Sequence, residues 1–132
     1  MILVDSNVWI DIMERDPAWL EWSMRQLKAA RAQDAIAINP VIYAEIAATF
    51  DSREQLDGLL RPVKVKNMAF SENAAFTAGQ AFWAYRRNKG SKGGVLPDFF
   101  IGAQAQTEDW KILTRDAGRY TTYFPSVKLI CP

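Results

Sequence analysis

Residues 2–11 read ILVDSNVWID, and the order of residue types in this stretch decides the fold. Ile2, Leu3 and Val4 form a short branched apolar run without alternation, the pattern of a strand covered on both faces. Asp5, Ser6 and Asn7, all helix-capping types, come next, and Val8, Trp9, Ile12 and Met13 then recur at helical spacing. The stretch therefore reads strand, turn, helix.

The same alternation continues outward. Asp16-Pro17 starts a helix with Leu20, Met24 and Leu27 on its inner side, and Ala35 to Ile38 is a second strand. Asn39-Pro40 supplies cap and first turn for a helix from Val41 to about Phe50, and Asp51-Ser52 caps another ending near Leu60. Val63 to Val65 is a short strand by alternation, and a long helix runs from Ser71 through Tyr85. After the basic, glycine-rich RRNKGSKGG (86–94), Pro97 opens a helix, Lys111 to Thr114 is a strand, Asp116 caps a helix through Tyr123, and Val127 to Ile130 is the last strand. Short strands alternating with helices predict an α/β fold with a parallel sheet between helical layers, as a single domain over 1–132. In such folds the reactive site lies beyond the carboxyl ends of the strands.

Composition narrows the chemistry. The chain has no histidine, which excludes Ser-His-Asp and Cys-His machinery, His-ligated zinc and imidazole acid–base cleavage. Its single cysteine, Cys131, offers no disulfide framework, so a reducing, cytoplasmic setting is the expectation, and no export signal or transmembrane segment is expected. Charge is divided unevenly: residues 1–60 hold ten acids and five bases (net −5), 61–92 seven bases and one acid (net +6), and 93–132 four of each. That basic middle third either attracts a polyanion or is simply one side of a dipolar, solvated surface.

Four acids fall where a site is expected. Asp5 follows the first strand and either caps the next helix or projects into the rim. Glu45 lies among Ile42, Ala44, Ile46 and Ala47, on a helix with almost no other polar company, and is either a site acid or part of the helix's narrow solvent strip. Asp98 stands in the first turn of LPDFFIGAQA (96–105), where the helix dipole contributes only about 0.3–1 kcal/mol, less than the desolvation of a carboxylate costs. Gly102, one turn further, is read as keeping the space above Asp98 open for a ligand. Asp116 repeats the geometry of Asp5 after the late strand. Converging carboxylates repel one another unless a cation neutralises them, and oxygen-only ligands suit Mg²⁺ or Mn²⁺, so a divalent metal is the expected partner of Asp98. A phosphatase of the haloacid dehalogenase type would want a second Asp where Asn7 stands, and a receiver domain would need an acidic pair near the N-terminus and a late lysine beside Thr114; neither is present.

At ILVDSNVWID, PVIYAEI, GGVLPDFFIGAQA and LTRDAGRYTTYFPSVKLICP the chain closely resembles the PIN domain family, and within it the VapC-type toxins of bacterial type II toxin-antitoxin modules. The resemblance runs the whole length and implies a three-layer α/β/α sandwich and a Mg²⁺- or Mn²⁺-dependent endoribonuclease. Position by position it makes Asp5 and Asp98 the principal metal ligands, with Glu45 and Asp116 completing the catalytic acids, and Ser6 and Thr114 the hydroxyl residues beside them. Gln104 stands where relatives often carry histidine. Implied partners are RNA, a VapB-type antitoxin seated near Trp9, Trp19 and Trp22, and a second copy in a homodimer; core packing is the alternative for the three tryptophans. Arg86, Arg87, Lys89 and Lys92 read as a phosphate-contacting arm, with a solvated surface loop as the alternative. A PIN-fold binding module without catalysis is the alternative.

Overall fold

The computed structural model describes residues 1–88 and 96–132. Its centre is the strand β1, Ile2–Val4, whose three side chains are entirely buried. β2 (Ile36–Ile38) lies on one side of β1 with Ile2 opposite Ile36, and β4 (Lys111–Leu113) on the other with Leu3 opposite Ile112. β3 (Lys66–Asn67) and β5 (Leu129–Ile130) are the edges, so the order is β3-β2-β1-β4-β5 with every pair parallel. Connections from β1 out to β3 and those back through β4 to β5 leave the sheet in opposite directions. The right-handed crossover rule then places them on opposite faces, giving a three-layer α/β/α sandwich.

The helices are α1 (Ser6–Met13), α2 (Leu20–Gln33), α3 (Pro40–Ala47), α4 (Arg53–Leu60), α5 (Glu72–Arg87), α6 (Leu96–Glu108) and α7 (Gly118–Tyr123). Caps explain several starts: Asn39 accepts from Ile42 N–H, Ser52 from Gln55 N–H and Ser71 from Ala74 N–H. Asp16 accepts from the N–H groups of Ala18 and Trp19, making a turn that feeds α2 rather than beginning it.

The strand expected at Val63–Val65 is displaced. Arg61-Pro62-Val63 prolongs α4 as a 3-10 turn, Lys64 takes a left-handed conformation (φ 56°), and only then does the chain straighten to pair at Lys66 and Asn67. Alternation at 63–65 arose from two apolar side chains, Val63 and Val65, lying against the core from a turn. The basic segment 86–94 falls largely outside the described residues: Arg86 and Arg87 form the exposed last turn of α5, while Lys89 and Lys92 are not among those described.

An aromatic cluster fixes the layer that carries much of the site. Phe99 of α6 meets Phe82 and Tyr85 of α5, Tyr123 of α7 and Phe124, with ring centroids 5.7, 5.4, 5.2 and 6.1 Å away. Phe99 and Phe124 are buried, so apolar area does most to lock α6 and α7 to each other.

Candidate active site

In this strand order β1 and β4 are neighbours whose onward connections diverge, so a crevice opens beyond their carboxyl ends. Asp5, the residue after β1, stands at that crevice, and its backbone N–H is bonded to Leu113 O of β4 at 2.9 Å. Only 4 % of Asp5 is exposed. Its carboxylate is held on both oxygens. Oδ1 accepts from Ser6 N–H (2.7 Å), making Asp5 the N-cap of α1, while Oδ2 accepts from Thr114 Oγ1 (2.8 Å), Tyr120 OH (3.1 Å) and Asn7 Nδ2 (3.2 Å). Capping and projection into the rim, alternatives in the sequence, are both true of this residue.

The other acids surround it unequally. Glu45 of α3 is half-buried, and its Oε1 accepts from Ser6 Oγ at 3.1 Å. Asp98, in the first turn of α6, is partly buried and bonded by Arg119 Nη1 at 2.5 Å. Asp116 is exposed at the rim, where Oδ1 accepts from the N–H of Gly118, the first residue of α7, whose N-cap is Ala117. A small cleft of about 70 Å³ is lined by Asp5, Ser6, Asn7, Asp98, Asp116, Arg119 and Tyr120. Glu45 stands beside it, behind Ser6.

Electrostatics follow from burial. Desolvation pushes the Asp5 carboxyl above the ordinary carboxylate range, with the Thr114 hydrogen bond opposing and the charge of Asp98 adding to the rise. Glu45 is raised by desolvation, with further contributions from Asp5 and Asp98. Asp98 is raised as well, chiefly by burial, with Asp116 contributing and Arg119 opposing. Tyr120 is pushed well above the ordinary phenol value by burial and by Asp5, so it remains a proton donor to Asp5 throughout the neutral range.

A resident divalent cation fits this donor set: hard oxygens, partly desolvated, each disfavoured as an anion first by burial and then by at least one acidic neighbour. Among the described residues, however, no three acids approach closely enough to form a ready-made cage. Asp98 is drawn to Arg119 and Glu45 to Ser6, and the partner of Asp98 within the described residues is a guanidinium.

One expectation is corrected and one open alternative is decided. Gly102 does not leave room over Asp98: a Cβ there would meet the ring of Phe124, 2.9 Å from Cγ and closer still to Cδ2 and Cε2, so glycine admits a core ring rather than a ligand. For Trp9 the core reading holds over the antitoxin seat: it is 3 % exposed and its indole N–H donates to Val4 O. Trp19 and Trp22 make an edge-to-face pair and are half-buried.

Several site residues escape a reading of the sequence alone. Arg119 and Tyr120 reach Asp98 and Asp5 across 21 and 115 positions, and no local pattern marks them beyond their place on the helix after Asp116. Asn7 bridges the two strands' ends, donating to Asp5 Oδ2 and Thr114 Oγ1 and accepting from Arg115 N–H. Behind it, Asp11 (1 % exposed) holds Arg115 as a fork, with Ser23 Oγ donating to the same carboxylate and Trp19 under the guanidinium. Gln104, buried on α6, accepts from Asn39 Nδ2 and donates to Ala69 O, tying the helix that bears Asp98 to the end of β2.

Comparison with known proteins agrees with this architecture. The fold resembles VapBC2 from Rickettsia felis bound to a DNA fragment from their promoter, with TM-score 0.75 and 18 % identity over 100 % of this chain and 99 % of that one. It also resembles VapBC-1 from nontypeable Haemophilus influenzae (TM-score 0.71, 17 % identity, 99 % and 98 % covered). FitAcB from Neisseria gonorrhoeae aligns with TM-score 0.62 and 22 % identity over 98 % and 96 %. No curated protein matches the chain. The model of the PIN domain matches residues 2–124, from the first residue of β1 to the ring that closes over Gly102, and the chain therefore belongs to the PIN domain family.

Proposed function

We propose that the chain is a divalent-metal-dependent endoribonuclease, the toxin of a type II toxin-antitoxin pair, with Asp5 and Asp98 as metal ligands and Glu45 and Asp116 as further catalytic acids. The observation that carries the reading is a carboxylate, Asp5, buried to 4 % exposure at the crevice of a parallel sheet, with Asp98 close enough to raise the proton affinity of both Asp5 and Glu45. The VapBC structures that share the fold support an antitoxin partner, and a homodimer and a cytoplasmic setting belong to the same reading. No helix among the described residues is long and apolar enough to cross a membrane.

Mg²⁺ or Mn²⁺, when bound, supplies the charge that lets these acids ionise together and the Lewis acidity that makes water a nucleophile toward phosphorus. The chain's own residues do the rest. Thr114, Tyr120, Asn7 and the Ser6 N–H hold both oxygens of Asp5 so that its lone pairs keep a fixed direction. Ser6 Oγ orients Glu45, and Glu45 or the exposed Asp116 aligns the attacking water. Attack forms a bond from the water oxygen to phosphorus and breaks the bond to the 3′ oxygen, which takes a proton, leaving 5′-phosphate and 3′-hydroxyl ends. Because water rather than the 2′-hydroxyl attacks, a chain without histidine can do this chemistry. Arg86 and Arg87 are offered to the RNA backbone as salt-sensitive contacts.

The test is expression without antitoxin, with new 5′ ends mapped in cellular RNA, and again with Asp98→Asn. Ends that depend on Asp98 support the reading; identical profiles for the two chains reject it. A second reading, a PIN-fold binding module without catalysis, is favoured by the Asp98–Arg119 pair, which satisfies the acid without a metal. Calorimetry with Mn²⁺ separates them: no binding favours the module.

A further inference from the structure

The cleft is lined by three carboxylates and, among the described residues, one cation, Arg119. Of the other two arginine–aspartate pairs among the described residues, the one with a buried acid, Arg115–Asp11, serves for comparison, and it is built differently. Arg115 grips a buried Asp11 through Nε and Nη2, lies over the Trp19 ring and shares its carboxylate with Ser23, the construction of a permanent structural pair. Arg119 makes a single bond to one oxygen of Asp98, both side chains remain nearly 30 % exposed, and neither has another hydrogen-bonded partner among the described residues. Little ties it in place. A divalent ion taking Asp98 as ligand would stand against the guanidinium, so the two cations cannot share that oxygen at low cost. A displaced Arg119 stays tethered to α7 at the cleft wall, where an anion is the favourable partner, and a phosphodiester entering beside the acids is such an anion.

Resting on the nuclease reading above, we propose that Arg119 is an exchange residue: it neutralises Asp98 while no divalent ion is bound, competes with that ion for the carboxylate, and once displaced binds the RNA phosphate. Metal loading and substrate binding are thereby coupled through one side chain. An empty cleft is kept from taking up a phosphate productively, because its guanidinium is already engaged.

The experiment measures Mn²⁺ binding by calorimetry for the full chain and for Arg119→Ala and Arg119→Lys, with thermal melts to verify folding. Arg119→Ala should bind Mn²⁺ on the order of tenfold more tightly, since the apparent dissociation constant scales inversely with the fraction of molecules whose carboxylate is free. Arg119→Lys should lie between the two, and it decides the matter if the alanine variant does not fold. Fluorescence anisotropy with a short phosphorothioate-linked single-stranded RNA supplies the second readout. With Mn²⁺, Arg119→Ala should lose affinity on the order of tenfold, and the slope of log K against log salt should shrink by about 0.7. Without Mn²⁺ the substitution should leave RNA affinity unchanged. Equal Mn²⁺ affinity in all three chains overturns the exchange while leaving the metal site intact, and an equal RNA loss with and without Mn²⁺ overturns it too. Failure of every chain to bind Mn²⁺ sinks the nuclease reading itself.

Discussion

Gly102→Ala puts the packing of α6 against Phe124 to a quantitative test. The added methyl would lie 2.9 Å from the ring's Cγ and nearer still to Cδ2 and Cε2. Contact with three ring carbons, including the one nearest the backbone, means that a ring flip merely exchanges equivalent edges, so Phe124 must retreat by roughly 1 Å in a filled core. Two opposing magnitudes decide the sign. Replacing an interior helical glycine by alanine favours the folded state by about 1 kcal/mol, whereas forcing a methyl into a filled core costs roughly 1–3 kcal/mol. Burial of Phe124 at 2 % exposure and of Gly102 itself puts the site at the costly end, so a net loss of about 1–2 kcal/mol is expected. For a chain of this length that corresponds to a fall in Tm of roughly 3–10 °C. Thermal denaturation followed by circular dichroism measures it, and Gly102→Ala/Phe124→Leu should recover part of the loss. The displacement also has a functional consequence, because Phe124 N–H is bonded to Tyr120 O and Tyr120 OH to Asp5. Activity should fall more than stability alone explains at a temperature where the variant is folded. A variant as stable as the parent would refute the packing argument.

Further expectations concern the polar framework. In metal-free protein Glu45→Gln should raise Tm at neutral pH, because the folded state raises the proton affinity of Glu45 above its ordinary value. Such a group stabilises fully below its ordinary pKa and loses that contribution as pH rises through its folded value. The variant's advantage should therefore shrink on acidification, and saturating Mn²⁺ should abolish it; melts across pH check both. Arg115→Ala strands the buried Asp11 charge and should cost about 3 kcal/mol in urea denaturation, with much of it returned by Asp11→Asn in the double variant. Gln104→Leu leaves Asn39 Nδ2 and the Ala69 carbonyl unpaired and should cost about 2 kcal/mol; a neutral result would mean that water replaces the amide.

The sequence by itself determined the local alphabet of this protein. Ile2–Val4 has to be a covered strand, Asn39, Ser52 and Ser71 have to cap helices, and Asp5 and Asp116 have to follow strands, because these preferences depend on dihedral angles and hydrogen bonds within a few residues. It also limited the chemistry to carboxylates, since a chain without histidine has few other acids and bases. Failure began where a residue's neighbours in space were not its neighbours in the chain. Val63 and Val65 alternate like a strand, yet the turn initiated by Arg61-Pro62 carries them into the core. Gly102 looked like an opening because the ring that fills it is Phe124, placed there by the docking of α7 on α6. Only that docking decided that Asp98 faces Arg119 and that Tyr120 donates to Asp5, contacts whose geometry comes from the burial of Phe99 against Tyr123 and Phe124, which lie far from either acid in the chain.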